Sequence, residues 1–416
     1  MRIGDLAKKY NISIGNLYYY IKLGLIVPSV HTRQYYFDST CEKDLQGVLL
    51  LKDWGFSLKE IAEILRLSRL SNMQHPKDTF DIINIMQKKH KELQEEKNKI
   101  TQKLKHIKKA QEYLKRTIPE PNLNPPGLPI SMLYLLCCPY CKKELKFSDT
   151  DMTMQQIYNA NATCVCGYQA VIKDGVFVAK EVLEGEHNKY DYDTPNTQRE
   201  YYKDLPQNMI TFFQFFYNWM RNKILRIGLK EKIILETHLN TYFYLQFQLN
   251  RLYGSKLILV DKYSEIIFMY KEMIDRQNTG LDILYIVNND LDLPLNTGHV
   301  DIFIDFFSSN EHQFFYNESL ISKITPYLNK EAKLIGTYFF MEDAYKSIKN
   351  LAREYPQSCP RNFSYKYFLE DLQNMGFRIT EDTKIDSTLK SGKNKCFDFH
   401  VDGEKLCMFS YLASNQ

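Results

Sequence analysis

From Phe80 to about Ile118 the chain has neither Gly nor Pro, and Met86, Leu93, Ile100, Ile107 and Leu114 recur every seven residues, with Leu104 at the alternate seam position. Lys and Glu fill the faces between, so the pattern predicts a coiled-coil helix over residues 77–118, whose uninterrupted run from Phe80 is roughly 58 Å long. A helix with one narrow apolar stripe is not stable alone in water and needs a partner. That partner is either the same helix of a second chain or a downstream part of its own. His90, Lys97 and Gln111 interrupt the second seam position, which predicts a marginal zipper.

The chain has 416 residues, too many for one ordinary core, and two to four domains are expected. Its net charge of +4 hides an asymmetry: residues 1–118 hold 22 Lys or Arg against 13 Asp or Glu, a net +9, which leaves −5 for the rest. A basic front and an acidic back suit a protein whose first part meets nucleic acid. No run of 18 apolar residues occurs, and Met1 leads into a folded pattern rather than a signal peptide, so a cytoplasmic protein without membrane contact is expected. Of nine cysteines, five lie between Cys137 and Cys166, which argues for a metal site over a disulfide framework. Cys41, Cys359, Cys396 and Cys407 read as buried or idle thiols.

Residues 2–28 run RIGDLAKKYNISIGNLYYYIKLGLIVP. Ile3, Leu6, Ala7 and Tyr10 recur at helical spacing, a polar break follows at Asn11, and Ser13 offers an N-cap oxygen for a second helix through Ile21. Two short helices joined by a tight turn make a helix-turn-helix, whose second helix presents its first residues, here Ser13, Ile14, Gly15 and Asn16, to base edges in the major groove. Ser29 to Phe37 predicts a β-wing, and Asp38 to Trp54 and Ser57 to Leu65 predict two more helices separated by Gly55-Phe56. On these residues, with GLIVP and GFSLKEIAEIL, residues 1–76 resemble the winged DNA-binding domain of the MerR family of bacterial transcription regulators.

The resemblance implies double-stranded promoter DNA as partner, with contacts from Ser13, Ile14, Asn16, Tyr18, Tyr19, Lys22, Arg33, Tyr35 and Tyr36. It also implies a homodimer built on antiparallel long helices, RNA polymerase at the promoter, a small-molecule effector and a place at the bacterial nucleoid. Tyr18 and Tyr35 stand where the family usually has Arg. A hydroxyl can bond a phosphate oxygen but releases no counterion, so weak non-specific binding with a shallow salt dependence is expected. A winged helix serving only protein contacts is the competing reading.

After the helix, Pro119, Pro121, Pro125, Pro126 and Pro129 predict a semi-rigid spacer over residues 119–130. Residues 131–185 then predict a small module with two cysteine knuckles, Cys138-x-x-Cys141 and Cys164-x-Cys166. Four thiolates at two hairpin tips supply the tetrahedral sulfur set of a structural zinc site, and metal would hold together a unit too small for its own core. The second pair is CxC where CxxC is commoner, so Cys137 also contends as a ligand, and four unligated thiols remain an alternative. The module, with its CG…IKDGVF ending, resembles the zinc ribbon that precedes some rRNA methyltransferase domains.

Residues 186–416 alternate strands and helices: IILE ending at Glu236, LILVD at Asp261, LDILYIV at Val287, VDIFIDFF at Phe307 and AKLIGTYFF at Phe340 predict a doubly wound α/β sheet. The aromatic-rich stretch Tyr190 to Trp219 reads as amphipathic helices that contribute to the core. The strand order and its acidic ends resemble the class I S-adenosylmethionine-dependent methyltransferase domain, which makes the whole a multidomain α plus α/β chain with a Rossmann-like body. The resemblance assigns cofactor contacts to Glu236, to Asp261 on the ribose hydroxyls and to Asn289 near the adenine position.

The family has three glycines at alternate positions after the first acidic residue, which let the backbone approach the cofactor. Here those positions hold His238, Asn240 and Tyr242, whose side chains are expected to intrude into the seat, so ordinary S-adenosylmethionine binding is expected to be lost or altered. His238 as a new base is conceivable, with a packed histidine as the plainer reading. The sequence therefore describes a dimeric transcription regulator with a sensing or scaffolding methyltransferase-like body, or alternatively an active methyltransferase tethered to DNA.

Overall fold

The computed structural model describes residues 1–31, 34–71, 76–118, 120–179, 194–240, 242–289, 291–391 and 397–415. Arg33 of the expected wing, Cys396 and part of the expected joint before the long helix lie outside the described residues. The chain divides into two units, Met1–Ile118 and Pro119–Gln416.

In the first unit, α1 (Ile3–Lys9) and α2 (Ile14–Lys22) are followed by a two-stranded antiparallel wing, β1 (Ser29–His31) and β2 (Gln34–Tyr36), then α3 (Ser39–Asp53), α4 (Leu58–Ser71) and α5 (Pro76–Arg116). The starts of α2, α3 and α4 follow from side-chain caps. The Ser13 hydroxyl accepts from the Asn16 N–H at 3.1 Å, and Asp38 accepts from Cys41 N–H at 2.8 Å. Ser57 and Glu60 form a reciprocal capping box, with bonds of 2.7 and 3.3 Å. Arg69 ties α4 to the end of the α2 turn, donating to Gly24 O at 2.7 Å and Leu25 O at 2.6 Å while pairing with Asp44 at 2.6 Å. Leu6, Leu17, Tyr20, Phe37, Leu45, Val48 and Ile61 form the core, which Ile82 of α5 closes.

Beyond Lys89, which pairs with Glu60 at 3.4 Å and lies over the Phe56 ring, every residue of α5 is exposed. Its 41 residues span about 62 Å, and the heptad positions Leu93, Ile100, Ile107 and Leu114 are all exposed, Leu114 at 62 %.

Among the described residues, the second unit is built on one sheet of thirteen strands. Its first part is β3 (Leu128–Pro129), β4 (Lys146–Thr153), β5 (Gln156–Thr163), β6 (Gln169–Lys173) and β7 (Val176–Ala179). Helices α6 (Pro195–Asp204) and α7 (Gln207–Ile227) lead into β8 (Ile233–Thr237), β9 (Lys256–Asp261), α8 (Ser264–Asp275) and β10 (Asp282–Val287). Then follow β11 (Val300–Phe306), α9 (Ser308–Phe315), α10 (Leu320–Ile324), β12 (Leu328–Glu342), α11 (Tyr345–Glu354) and α12 (Tyr365–Asn374). The chain finishes with β13 (Phe377–Asp382), β14 (Asp386–Thr388) and β15 (Lys405–Asn415). The order is β13-β15-β12-β11-β8-β9-β10-β7-β6-β5-β3, with β14 also paired to β15 and β4 to β5.

Strands β10, β9, β8, β11 and β12 are parallel, as the five apolar runs predict, and β15 enters antiparallel between β12 and β13. The chain lays strands to one side of β8 and then crosses to the other, which puts a switch point between β8 and β11.

Two expectations are corrected. The cysteine module is not a separate unit: β7, buried at all four positions, pairs parallel with β10 through Val176–Tyr285, Phe177–Ile286 and Val178–Val287. An all-apolar strand is stable when covered on both faces, and this one extends the larger sheet. Leu136, Ile157 and Phe177 share one core with Leu235, Ile258 and Leu284, so the module draws on a core beyond its own size. Nor does the proline-rich segment stand free from Asn122 onward. Lys271 donates to Pro126 O at 2.6 Å, Asn122 to Asp275 O at 3.1 Å, and Gly127 N–H to Gln156 at 2.7 Å.

A Cβ at Gly127 would stand 2.7 Å from Ile157 O, so the segment seats there only as glycine. Gly127→Ala is expected to destabilise the second unit by about 2 kcal/mol, read as a lowered thermal midpoint; a free spacer would leave the midpoint unchanged.

Candidate functional site

In α2, Leu17 and Tyr20 face the core while Ile14, Asn16, Tyr18, Tyr19 and Lys22 are exposed, so the helix offers one continuous outer surface. Ser13 is exposed, but its oxygen is engaged as the helix cap. The wing stands beside this surface: the Tyr18 and Tyr35 rings meet edge to face at 6.1 Å, and Tyr36 is exposed. The structure thus sets Tyr35 of the wing against the outer face of α2.

The four sulfurs of Cys138, Cys141, Cys164 and Cys166 lie within 4.8 Å of one another, with Cys138–Cys166 and Cys141–Cys164 each at 3.4 Å. Tetrahedral zinc–sulfur bonds of about 2.3 Å place sulfurs about 3.8 Å apart, a spacing this set brackets. Each pair sits on a tight turn. Lys142 N–H bonds Cys138 O at 3.0 Å, and Gly167, with φ of 96°, returns its N–H to Cys164 O at 3.0 Å. Cys137, buried and with its N–H bonded to Pro294 O, is not one of the four. The main-chain N–H of Lys143 and the neighbouring thiols lower Cys141 to about 7, while burial pushes Cys138 up to about 12. A divalent cation is what such a crowd of sulfurs fits, because binding replaces proton loss against like charge with charge neutralisation. One equivalent of zinc per chain is expected by elemental analysis, falling to zero in the Cys138→Ser, Cys141→Ser double variant.

A cleft of about 280 Å³ opens at the C-terminal ends of β8, β9 and β10. His238 and Asn240 line it, as the sequence suggests, but Tyr242 does not. Its ring packs on Phe213 at 5.1 Å and on Phe306 and Phe307 at 5.6 Å, so this third bulky residue turns into the core rather than into the seat. His238 takes φ of 57°, the left-handed conformation that glycine adopts without cost, and its Nδ1 lies 3.0 Å from the Thr237 hydroxyl.

The three acidic or amide positions fare differently. Glu236 is outside the cleft: burial raises it to about 8, and its carboxylate accepts the N–H groups of Tyr244 and Leu245. Asp261 lines the cleft, raised to about 6 by burial, with one oxygen on Asn240 N–H at 2.8 Å and the other on Tyr263 N–H at 2.9 Å. Its expected ribose-binding oxygens therefore already hold the turn. Asn289 lines the rim and is exposed.

Sequence reasoning missed the opposite wall, which comes from α9. Glu311 accepts from the Asn240 side chain at 3.2 Å. His312 is 3 % exposed, stacks on Tyr316 at 4.5 Å and faces His238 at 5.7 Å between ring centroids. Neither of its ring nitrogens makes a hydrogen bond of normal geometry. Burial lowers His312 to about 4 and His238 well below the usual imidazole value, so both rings are neutral near pH 7. Lys262 crosses the mouth over the Phe315 ring at 4.6 Å. The cleft offers buried acceptors, two neutral imidazoles and aromatic faces, which is equipment for holding a small molecule. The string SSNEHQFF had given no sign of this, because its polarity reads as a solvated helix although Ser308 to Phe314 are all buried.

Comparison with known proteins agrees with the front of the chain. Among solved structures, an S-adenosylmethionine-dependent methyltransferase from Aquifex aeolicus is 16% identical over 47% of this chain and 89% of its own, with a TM-score of 0.32. The MccD protein is 11% identical over 48% and 96%, with a TM-score of 0.38. Geranyl diphosphate C-methyltransferase from Streptomyces coelicolor A3(2) is 13% identical over 45% and 71%, with a TM-score of 0.33. The doubly wound assignment rests on the strand order and not on these likenesses. No curated protein matches the chain. No helix among the described residues is long and apolar enough to cross a membrane. Residues 1–68 match the model of the MerR HTH family regulatory protein. With the capped second helix, its exposed outer face and the wing beside it, that match makes residues 1–68 a MerR HTH family domain.

Proposed function

We propose that this chain is a sequence-specific transcription regulator that grips a promoter operator as a homodimer, with its body sensing a small molecule or acting as a scaffold rather than catalysing. The observation that carries the reading is the outer surface of α2, where Ile14, Asn16, Tyr18, Tyr19 and Lys22 are exposed next to the wing. The uncovered heptad stripe of α5 supports the dimer, since an exposed row of Leu93, Ile100, Ile107 and Leu114 is what a second copy would cover. In this reading Asn16 reads a base edge, Lys22 and the tyrosines engage phosphates, and effector binding alters how the paired heads deform the promoter that RNA polymerase uses. Zinc in the four-cysteine centre is structural. The setting is the bacterial cytoplasm, at the nucleoid.

The second reading, a methyltransferase tethered to DNA, is favoured by the cleft at the strand ends with Asp261 on its wall. It is opposed by the His238 side chain in that cleft. Calorimetric titration with S-adenosylmethionine decides between the two: no tight binding is expected, and a submicromolar constant would select the enzyme.

For the head, an electrophoretic shift with the DNA upstream of the chain's own gene is expected at low salt, and Asn16→Ala should relax its sequence preference. Replacing Tyr18 and Tyr35 by Arg should steepen the slope of log K against log salt by about 0.9 for each phosphate newly neutralised. Absence of any shift at low salt would remove the regulator reading.

A further inference from the structure

Gly15 is the second residue of α2. Among the described residues nothing requires a glycine there. Its φ lies outside the left-handed region, and a Cβ built on it would meet, beyond its chain neighbours and the helix backbone, only the Ser13 hydroxyl oxygen at 3.9 Å, an ordinary contact. Alanine would fit the position and favour the helix. At about 100° per residue Gly15 stands nearly opposite the buried Leu17, so with Tyr18, Tyr19 and Lys22 it marks the outermost line of α2. The missing side chain leaves a notch on that line, where another surface can come close to the main chain.

The notch has a different side chain on each flank. Ile14 is 46 % exposed and carries no polar atom beyond its main chain. Asn16 is exposed as well. Its main-chain N–H bonds the Ser13 oxygen at 3.1 Å, while its side-chain amide makes no bond to a described residue. Residues 13–19 contain no Arg, Lys, Gln, Asp or Glu. Lys22, the cation of α2, stands about 11 Å farther along the axis than Gly15.

In a helix-turn-helix the first residues of the second helix are the ones that reach base edges. Each base asks for a different partner there. Adenine offers a donor at N6 and an acceptor at N7, which one Asn amide meets together, and thymine offers its C5-methyl to an apolar side chain. Guanine offers two acceptors, best met by Arg or Lys, and cytosine a donor best met by a carboxylate. The first turn of α2 supplies the first two partners and neither of the others. We propose that α2 reads adenine and thymine: Asn16 bonds N6 and N7 of an adenine, Ile14 covers the methyl groups of thymines on neighbouring pairs, and Gly15 lets the helix seat deeply enough for both to reach. The proposal rests on the regulator reading and specifies its operator, in which the core of each half-site is made of A·T pairs.

The full chain is used to select duplexes from a library of randomised sequence at low salt, and the selected duplexes should share a core of A·T pairs in each half-site. In the tightest of them, deoxyuridine in place of core thymine removes only the methyl group and should weaken binding about fourfold per methyl. Replacing core adenine by 7-deazaadenine, which turns N7 into C–H, should weaken it about tenfold. Ile14→Ala should be indifferent to the first exchange and sensitive to the second, and Asn16→Ala the reverse. Gly15→Ala should melt no lower than the unsubstituted chain yet bind about tenfold more weakly. Guanine in the selected core, affinity unchanged by both base exchanges, or full affinity in Gly15→Ala would overturn this proposal and leave a DNA-binding regulator standing. Selection of no duplex at all would overturn both.

Discussion

The body of this protein depends on the parallel pairing of β7 with β10, three register pairs from Val176–Tyr285 to Val178–Val287. Through it the cysteine hairpins become the flank of a large sheet instead of an appendage. The proline-rich segment then lies along that flank, where Gly127 and Gly175 let two backbones approach so closely that a Cβ on either would stand 2.7 Å from main-chain atoms. The four-cysteine cluster and the proline-rich segment both lie on this flank of the sheet. The fold therefore places a sulfur-rich knuckle and a strapped-down linker on the same rigid element as the parallel strands.

At the opposite end of those strands, the turn after β8 is governed by Asp261. Its carboxylate holds Asn240 N–H from below while Asn240 reaches Glu311 of α9. The result is a lattice of buried polar groups in which each residue is positioned by its neighbour on another element. In a buried setting such a network is favourable only when its members are satisfied, and it gives the cleft wall a defined shape. Tyr242, the third substituent of the same turn, is drawn instead into an aromatic group with Phe213, Phe306 and Phe307.

Much of this was legible in the residues. The helix-turn-helix, wing and long helix follow from short-range signals: caps at Ser13, Asp38 and Ser57, and a period of seven without Gly or Pro. The five parallel strands announced themselves as apolar runs, and the four-cysteine set as two knuckles. What could not be read was long-range. Nothing local says that VFVA pairs with LDILYIV across more than a hundred residues, or that FRITED and the strand from Lys405 to Asn415 complete the far edge of the sheet. Side-chain direction in a turn is equally hidden, which is why sequence reasoning puts Tyr242 in the cleft. Buried polar helices mislead too, since Glu311 and His312 look like surface residues until the strands they cap are in place.

One residue gives the cleft a particular history. His238 holds a left-handed backbone conformation, φ of 57°, that costs an ordinary side chain about 1 kcal/mol and glycine almost nothing. A chain that needed only the bend would be easier to fold with no side chain at that point. The fold accepts avoidable strain and receives in exchange an uncharged ring standing in the hollow, paired with a second ring across it. Whatever rests there is met by imidazole edges instead of bare peptide, so shape and tautomer jointly decide what is admitted.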